Sequence, residues 1–213
     1  MKATTVRDVM TATVVAVRED ADFKEMVTVM RNRRVSAFPV ISEACKVIGV
    51  VSEADLLLKE AAPELPQGLV RLAWRLTERS KAAGVTAAEV MSTPAVTIGE
   101  DPPVAEAARL MQSRRVKRLP VVDRDGRLRG IVSRADVLSV FERPDEQIWD
   151  DVVKVIGEFG LDPEMFVAAV RSGVVTVTGS VVRRADALGM LGAIRHLEGV
   201  IAVRDRLSYP GQD

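Results

Sequence analysis

Gly49-Val50-Val51-Ser52-Glu53-Ala54-Asp55 and Gly130-Ile131-Val132-Ser133-Arg134-Ala135-Asp136 are one phrase written twice, 81 residues apart. Laid on itself with that shift and no gap, 6 to 60 falls on 87 to 141 with about 18 identical pairs in 55. Val9-Met10 lands on Val90-Met91, Glu19-Asp20 on Glu100-Asp101, Arg33-Arg34-Val35 on Arg114-Arg115-Val116, and Pro39-Val40 on Pro120-Val121. Identity of that density in one register marks an internal duplication.

Each copy carries the same periodicities. Thr13 to Val17 and Pro94 to Ile98 are rich in β-branched residues and predict strands. Asp101 before Pro102 predicts an N-cap with proline at the first helical position. Val104, Ala107, Ala108 and Met111 then recur at helical spacing, as Phe23, Met26, Val27 and Met30 do in copy one, so each helix has one buried face. Leu119 to Val122 and Leu128 to Val132, around Asp123-Arg124-Asp125-Gly126, read as a hairpin; Ala44-Cys45 is a poorer turn at the same place in copy one. After each hairpin, Ser52 or Ser133 opens a last helix. A β-α-β-β-α unit of about 55 residues is marginal by itself, which predicts two copies packed sheet to sheet around a shared core. Between them, 61 to 85 holds Pro63, Pro66 and Gly84 around Leu69, Val70, Leu72, Ala73, Trp74 and Leu76, an amphipathic helix expected to dock on the pair.

Arg143-Pro144-Asp145 ends that pattern. A helix from about 145 to 159 precedes Phe166 to Val170, the turn pair Ser172-Gly173, and Val174 to Thr178 with Gly179. Arg184 to Leu197 reads as a helix and Val200 to Leu207 as a strand with one wet face, giving α-β-β-α-β. Basic and acidic residues number 22 and 18 in 1 to 141 but 8 and 12 in 142 to 213, which supports a boundary near 143. The expected domains are therefore a first repeat at 6–60, a helical linker at 61–85, a second repeat at 86–141 and a separate tail domain at 145–208. The fold class is α/β (α+β), with the repeats forming a pseudo-two-fold pair.

Composition narrows the function. In 213 residues, 47% are hydrophobic and 28% charged, which excludes collagen-like, disordered and disulfide-framework chains. The 30 basic and 30 acidic residues cancel, so the field that draws a protein onto nucleic acid is missing, and the acidic residues interspersed near the arginine cluster at 114 to 118 weaken a DNA reading further. One cysteine, Cys45, and one histidine, His196, cannot make an internal disulfide or a Cys/His metal site, so no metal is expected. No phosphate loop, dinucleotide fingerprint, nucleophile elbow or His-Glu-x-x-His occurs, and with one histidine and one cysteine the usual nucleophile and base pairs are lacking. The chain reads as a non-enzyme. Charges recur from Lys2, Arg7 and Asp8 onward and no run approaches 18 uncharged apolar residues, so the expected location is the cytoplasm. Cys45 reads as a surface thiol, with a redox sensor as the alternative. His196 is expected to serve a helix dipole, and Trp74 and Trp149 to anchor linker and tail. Met26, Met30 and Met111 read as core filler.

The repeated Gly-x-x-Ser-x-x-Asp is what remains for chemistry. A strand that ends at a capping serine brings a hydroxyl and unpaired helix N–H groups to one place, which suits phosphate. The aspartate one turn in can accept two hydrogen bonds, matching the 2′ and 3′ hydroxyls of a ribose. Arg34, Arg115, Arg118 and Arg134 offer fork-shaped partners for phosphate. Ser-x-x-Asp equally fits a capping box with no ligand, and the two readings are compatible.

Asp8-Val9-Met10, Phe38-Pro39-Val40 and Gly49 to Asp55, with Glu89-Val90-Met91, Leu119-Pro120-Val121 and Gly130 to Asp136, resemble a tandem pair of CBS domains, a Bateman module. That resemblance implies binding of adenosine-containing ligands (AMP, ADP, ATP, S-adenosylmethionine or a dinucleotide such as NAD) in clefts between the copies. It implies that Asp55 and Asp136 hold ribose, that Ser52 and Ser133 lie near phosphate, and that Thr13-Val14-Val15 and Pro94-Ala95-Val96 line the adenine slot. Arg115, Arg118 and Arg134 would neutralise phosphate charge. Ala37 and Arg118 occupy equivalent positions, so the copies are not expected to be equally occupied. Homodimers through the pair are a further implication. The tail, by Gly173-Val174-Val175-Thr176-Val177-Thr178-Gly179-Ser180-Val181 and Gly199-Val200-x-x-Val203-x-Asp205-x-Leu207, resembles a BON domain, which implies a phospholipid or protein partner. The expectation is a sensor of adenine nucleotides with the tail as output or interaction module; the alternative is a non-sensing scaffold acting through its tail.

Overall fold

Thr5 starts the first helix by donating from both N–H (2.8 Å) and Oγ1 (2.7 Å) to the Asp8 carboxylate one turn on. Thr86 and Glu89 repeat the arrangement 81 residues later, the Thr86 N–H donating at 3.0 Å. The computed structural model describes residues 3–61, 84–160, 166–181 and 184–209. Copy one runs α1 (Val6–Val9), β1 (Val17–Arg18), α2 (Phe23–Arg33), β2 (Ala37–Ile41), β3 (Val47–Ser52) and α3 (Glu53–Ala61). Copy two runs α4 (Ala87–Val90), α5 (Val104–Arg114), β4 (Arg118–Val122), β5 (Leu128–Ser133) and α6 (Arg134–Leu138). β1 lies parallel to β2, which pairs antiparallel with β3; β4 and β5 form the matching hairpin.

The short opening helices are exchanged between the copies. Val6 and Arg7 N–H groups donate to the carbonyls of Pro102 and Glu100, while Ala87 and Ala88 donate to Ala21 and Glu19, all at 2.9 Å. Ala87 and Val90 consequently pack into the copy-one core with Met26, Phe38, Val40 and Val51. Val6 and Val90 are fully buried, and removing a valine side chain from water contributes roughly 1.5 to 3 kcal/mol.

Three local expectations are corrected. The strands expected at Thr13 to Val17 and Pro94 to Ile98 shrink to Val17–Arg18 and to a single bridge between Ile98 and Val121. The segments ahead of them lie outside the sheet, so their β-branched residues do not pair in a ladder. Helix α5 is capped by Pro103 and not by Asp101, because the carbonyls of Glu100 and Pro102 are already paired with α1 and hold that stretch extended. Val27, expected on the buried face of α2, is 44% exposed, whereas Met26 and Met30 are buried. Of the expected helical linker at 61–85, residues 62–83, Trp74 among them, lie outside the described residues.

The described chain divides into two compact units: Thr5–Arg134, and Ala135 onward together with the N-terminal Thr4. In the second, a 3-10 turn (Ser139–Glu142) leads to α7 (Asp145–Glu158), β6 (Phe166–Arg171), β7 (Val174–Ser180), α8 (Arg184–Arg195) and β8 (Ala202–Ser208). The sheet order is β6-β7-β8, antiparallel then parallel. Ile148, Val152 and Ile156 of α7 and Met190 and Ile194 of α8 cover Val175 and Val177 of β7. The turn at Ser172 (φ +48°) and Gly173 (φ +72°) needs two left-handed residues. Asp145 holds it, accepting the N–H groups of Ser172 (2.6 Å) and Gly173 (2.8 Å).

Among the described residues of this unit, Asp151 is the buried charge (9% exposed). Burial pushes its pKa up, but hydrogen bonds from Arg143 (2.8 Å) and Lys154 (3.2 Å) outweigh it and hold the carboxyl below its ordinary range. Arg143 also donates to the Glu198 carbonyl at 2.9 Å, and Thr4 donates from N–H and Oγ1 to the Glu198 carboxylate at 2.6 Å each. Trp149 ties α7 to β6 through its indole N–H on the Ala168 carbonyl at 3.1 Å. His196 Nδ1 lies 2.8 Å from the Gly192 carbonyl at the end of α8. Among the described residues no helix is long and apolar enough to cross a membrane.

Candidate functional site

β3 hands over to α3 at Ser52, and the turn is closed by Asp55. Its Oδ2 accepts the Ser52 N–H at 2.9 Å and the Ser52 hydroxyl at 2.7 Å, which is the carboxylate half of a capping box. Its Oδ1 accepts from the hydroxyl of Ser92, a residue of copy two, at 3.1 Å. Ser92 is brought there by a two-bond bridge to Val50: Val50 N–H to Ser92 O at 3.1 Å, and Ser92 N–H to Val50 O at 2.8 Å.

This close approach explains the glycine of the repeated phrase. A Cβ on Gly49 would lie against Met91 Sδ and 2.8 Å from its Cγ. Gly130 faces Met10 in the same way, a Cβ there falling 2.6 Å from the sulfur, and Thr11 and Ile131 make the equivalent two-bond bridge at 2.9 and 3.0 Å. Each copy's glycine is the seat of the other copy's methionine.

A cavity of about 340 Å³ opens beside Asp55. Ser52, Glu53, Ala54 and Asp55 form one wall, Pro94-Ala95-Val96 a second, and Arg115, Val116, Lys117 and Arg118 a third, with Ser36, Ala37, Val50 and Ser92 between them. Arg115 is the left-handed C-cap residue of α5 (φ +55°), which turns the chain so that 115 to 118 run along the cavity. Arg118 is half-buried; its Nη2 donates to Ser36 Oγ at 2.7 Å and its Nη1 to the Ala37 carbonyl at 3.3 Å. Two carboxylates (Glu53 and Asp55), an apolar wall and three cations thus share one space. Neither the lone histidine nor the lone cysteine lines it.

Of the residues picked from sequence, the cavity collects Ser52, Asp55, Pro94, Ala95, Val96, Arg115 and Arg118. Thr13, Val14, Val15, Ser133, Arg134 and Asp136 are not in it. Thr13 is exposed and Val14 and Val15 half-buried on the segment before β1. Arg134, expected beside phosphate, donates one guanidinium N–H to the Val116 carbonyl at 3.2 Å. Ser133 ends β5, and Asp136 sits half-buried on α6 in the second unit, its carbonyl accepting the Ser139 hydroxyl at 2.7 Å. Sequence reasoning missed Ser36, Ser92 and Lys117. Their signal was the register itself, since Ser36 and Lys117 are repeat equivalents directly before the Ala37 and Arg118 pair, and Ser92 follows the paired methionine.

Among relatives, MK0525 of Methanopyrus kandleri is 30% identical over 134 residues, covering 63% of this chain and 58% of that protein. The chain thus spans little more than half the length of that relative. The structure of CBSX2 in complex with AMP is 28% identical, covers 63% of this chain and 93% of the other, and superposes with a TM-score of 0.57; CBSX2 is an Arabidopsis thaliana CBS-pair protein. The CBS domain pair of MJ0100, 22% identical with a TM-score of 0.53 over 66% of this chain and 98% of its own, shares the fold. The family model for the CBS domain matches twice, at 6–61 and 87–143, taking in more than half of the sequence in the two copies whose exchange builds the cavity. By that double match and the shared architecture, this protein belongs to the CBS domain family.

Proposed function

We propose that this chain is a cytoplasmic, non-catalytic regulatory protein that binds an adenosine-containing nucleotide beside Asp55. The observation that carries the reading is the convergence of the Asp55 carboxylate, the Pro94-Ala95-Val96 wall and the Arg115/Arg118 cations on one cavity. Asp55 takes the ribose hydroxyls, Pro94 to Val96 flank the adenine, Ser52 lies near phosphate, and Arg115 and Arg118 neutralise it. The AMP complex of CBSX2 supports this ligand class. By the 81-residue equivalence, Thr13, Val14, Val15, Ser133, Arg134 and Asp136 are the proposed ligand contacts of the second copy. Exposed Val27 and Leu57 beside Phe23 and Leu56 support a homodimer through the pair. The proposed domains are 6–60, 86–141 and a BON-like module at 145–208; the α-β-β-α-β order of the tail supports the last, as output or interaction module.

A thermal-shift screen with AMP, ADP, ATP, NAD and S-adenosylmethionine tests the reading. A site filled at 100 times its Kd adds about 2.7 kcal/mol, roughly 5 to 10 °C for a chain of this size. Asp55→Ala/Asp136→Ala should lose the shift. No shift with any of the five, together with flotation on anionic phospholipid vesicles, would favour the scaffold alternative.

A further inference from the structure

The Arg118 side chain reaches from copy two into copy one. Under the 81-residue shift Ala37 is the counterpart of Arg118, and Ser36 that of Lys117. Arg118 therefore bonds to its own repeat position, the Ala37 carbonyl, and to Ser36 Oγ beside it. The crossing has room because residue 37 ends at Cβ and is buried (6% exposed); arginine at both positions would bring like charges together. Among the described residues Arg118 joins no ion pair, so this half-buried guanidinium rests on a hydroxyl and a carbonyl, both neutral. Phosphate offers the same fork two anionic oxygens, which adds charge attraction and bidentate fit to what neutral acceptors provide.

We infer that Ser36 is a specificity-determining residue: its hydroxyl competes with the ligand's phosphate for Arg118, and so sets how strongly the cavity prefers a phosphorylated adenosine over the bare nucleoside. This rests on the nucleotide reading above and deepens it. Removing the hydroxyl frees one donor of Arg118 for phosphate and leaves the adenine and ribose contacts alone. The contact Ser36 makes in the cavity is to the guanidinium, so on this reading its effect falls on ligands that carry phosphate.

Calorimetric titration of adenosine and AMP into the full chain tests this. For wild type, AMP should bind more tightly than adenosine. Ser36→Ala should raise that preference about three- to tenfold, the range expected from losing one competing hydrogen bond of typical net strength, with adenosine affinity unchanged. Arg118→Ala should lower the preference at least threefold. Ser36→Cys, close in size but a weak acceptor, supplies the same comparison should the alanine variant fold poorly; Ser36→Thr keeps the hydroxyl and should keep the wild-type preference. Adenosine and AMP binding with a preference that neither Ser36→Ala nor Ser36→Cys raises would overturn the role of Ser36 and leave the nucleotide reading standing. Failure of wild type to bind either ligand would overturn both.

Discussion

Replacing Gly49 by alanine tests the interlocking of the copies. The added Cβ would fall 2.8 Å from Met91 Cγ and 3.0 Å from Met91 Cβ, and closer still to the sulfur. Because Met91 Cβ is itself crowded, rotation of the outer thioether does not clear the contact, and the Val50 to Ser92 bridge must give way as well. Inserting a methyl group into such a contact costs about 1 to 3 kcal/mol, equivalent to roughly 3 to 10 °C in Tm for a chain of this length. Met91→Ala removes the obstructing side chain and carries a cost of its own, because Met91 packs against the copy-one core. In the double variant the new methyl group occupies vacated space, so the two losses should fall short of additivity by about 0.5 to 3 kcal/mol. Urea denaturation of the four proteins, read by circular dichroism, supplies the cycle. Strict additivity, or a Gly49→Ala protein as stable as wild type, would refute the claim that Gly49 is required by Met91. Since Ser92 also touches Asp55, Gly49→Ala should weaken AMP binding in parallel.

Three further outcomes are expected. Arg143→Ala should cost about 2 kcal/mol at neutral pH by leaving Asp151 buried with Lys154 alone. Because the folded-state pKa of Asp151 lies below its ordinary value, that stabilisation is present above the unfolded value of about 3.9 and is lost as pH falls through the folded value, so the gap to wild type should close in acid; melts from pH 7 to pH 2 would show it. Asp145→Ala should cost about 1 kcal/mol and speed amide exchange at Ser172 and Gly173, which mass-spectrometric hydrogen exchange can read. Gly173→Ala should be more damaging than Asp145→Ala, because at φ +72° the new Cβ would also lie 2.7 Å from the Gly199 carbonyl oxygen; a smaller Tm loss than that of Asp145→Ala would contradict this account.

The repeat was legible because both copies obey the same constraints: apolar spacing on α2 and α5, a hairpin whose turn holds a left-handed residue (Cys45 or Gly126), and the serine that opens the last helix. The tail was legible for a similar reason, Ser172-Gly173 and the helical spacing of Ala187, Leu191 and Ile194 leaving little choice. What sequence could not show was exchange. Periodicity describes how a segment packs in its own repeat, yet Val6 and Val90 are buried by the other copy. The same non-local pairing moved the start of α5 from Asp101 to Pro103 and took the residues before Val17 and Ile98 out of the sheet. At the cavity, Ser52 and Asp55 stood out through the repeated motif, and Pro94 to Val96 through the resemblance to CBS pairs. Lys117, Ser36 and Ser92 did not, since each matters only through a neighbour from the opposite copy.

The exchange of opening helices has a bearing on where such a chain can be cut. A fragment holding only the first repeat would keep the lid belonging to its twin and lack its own. Two of these fragments could complete each other, so the single-repeat product should be found as a couple and not as a single folded particle. Joining two genes end to end would then add no new interface to such a couple; it would make an existing partnership permanent and leave each half free to diverge.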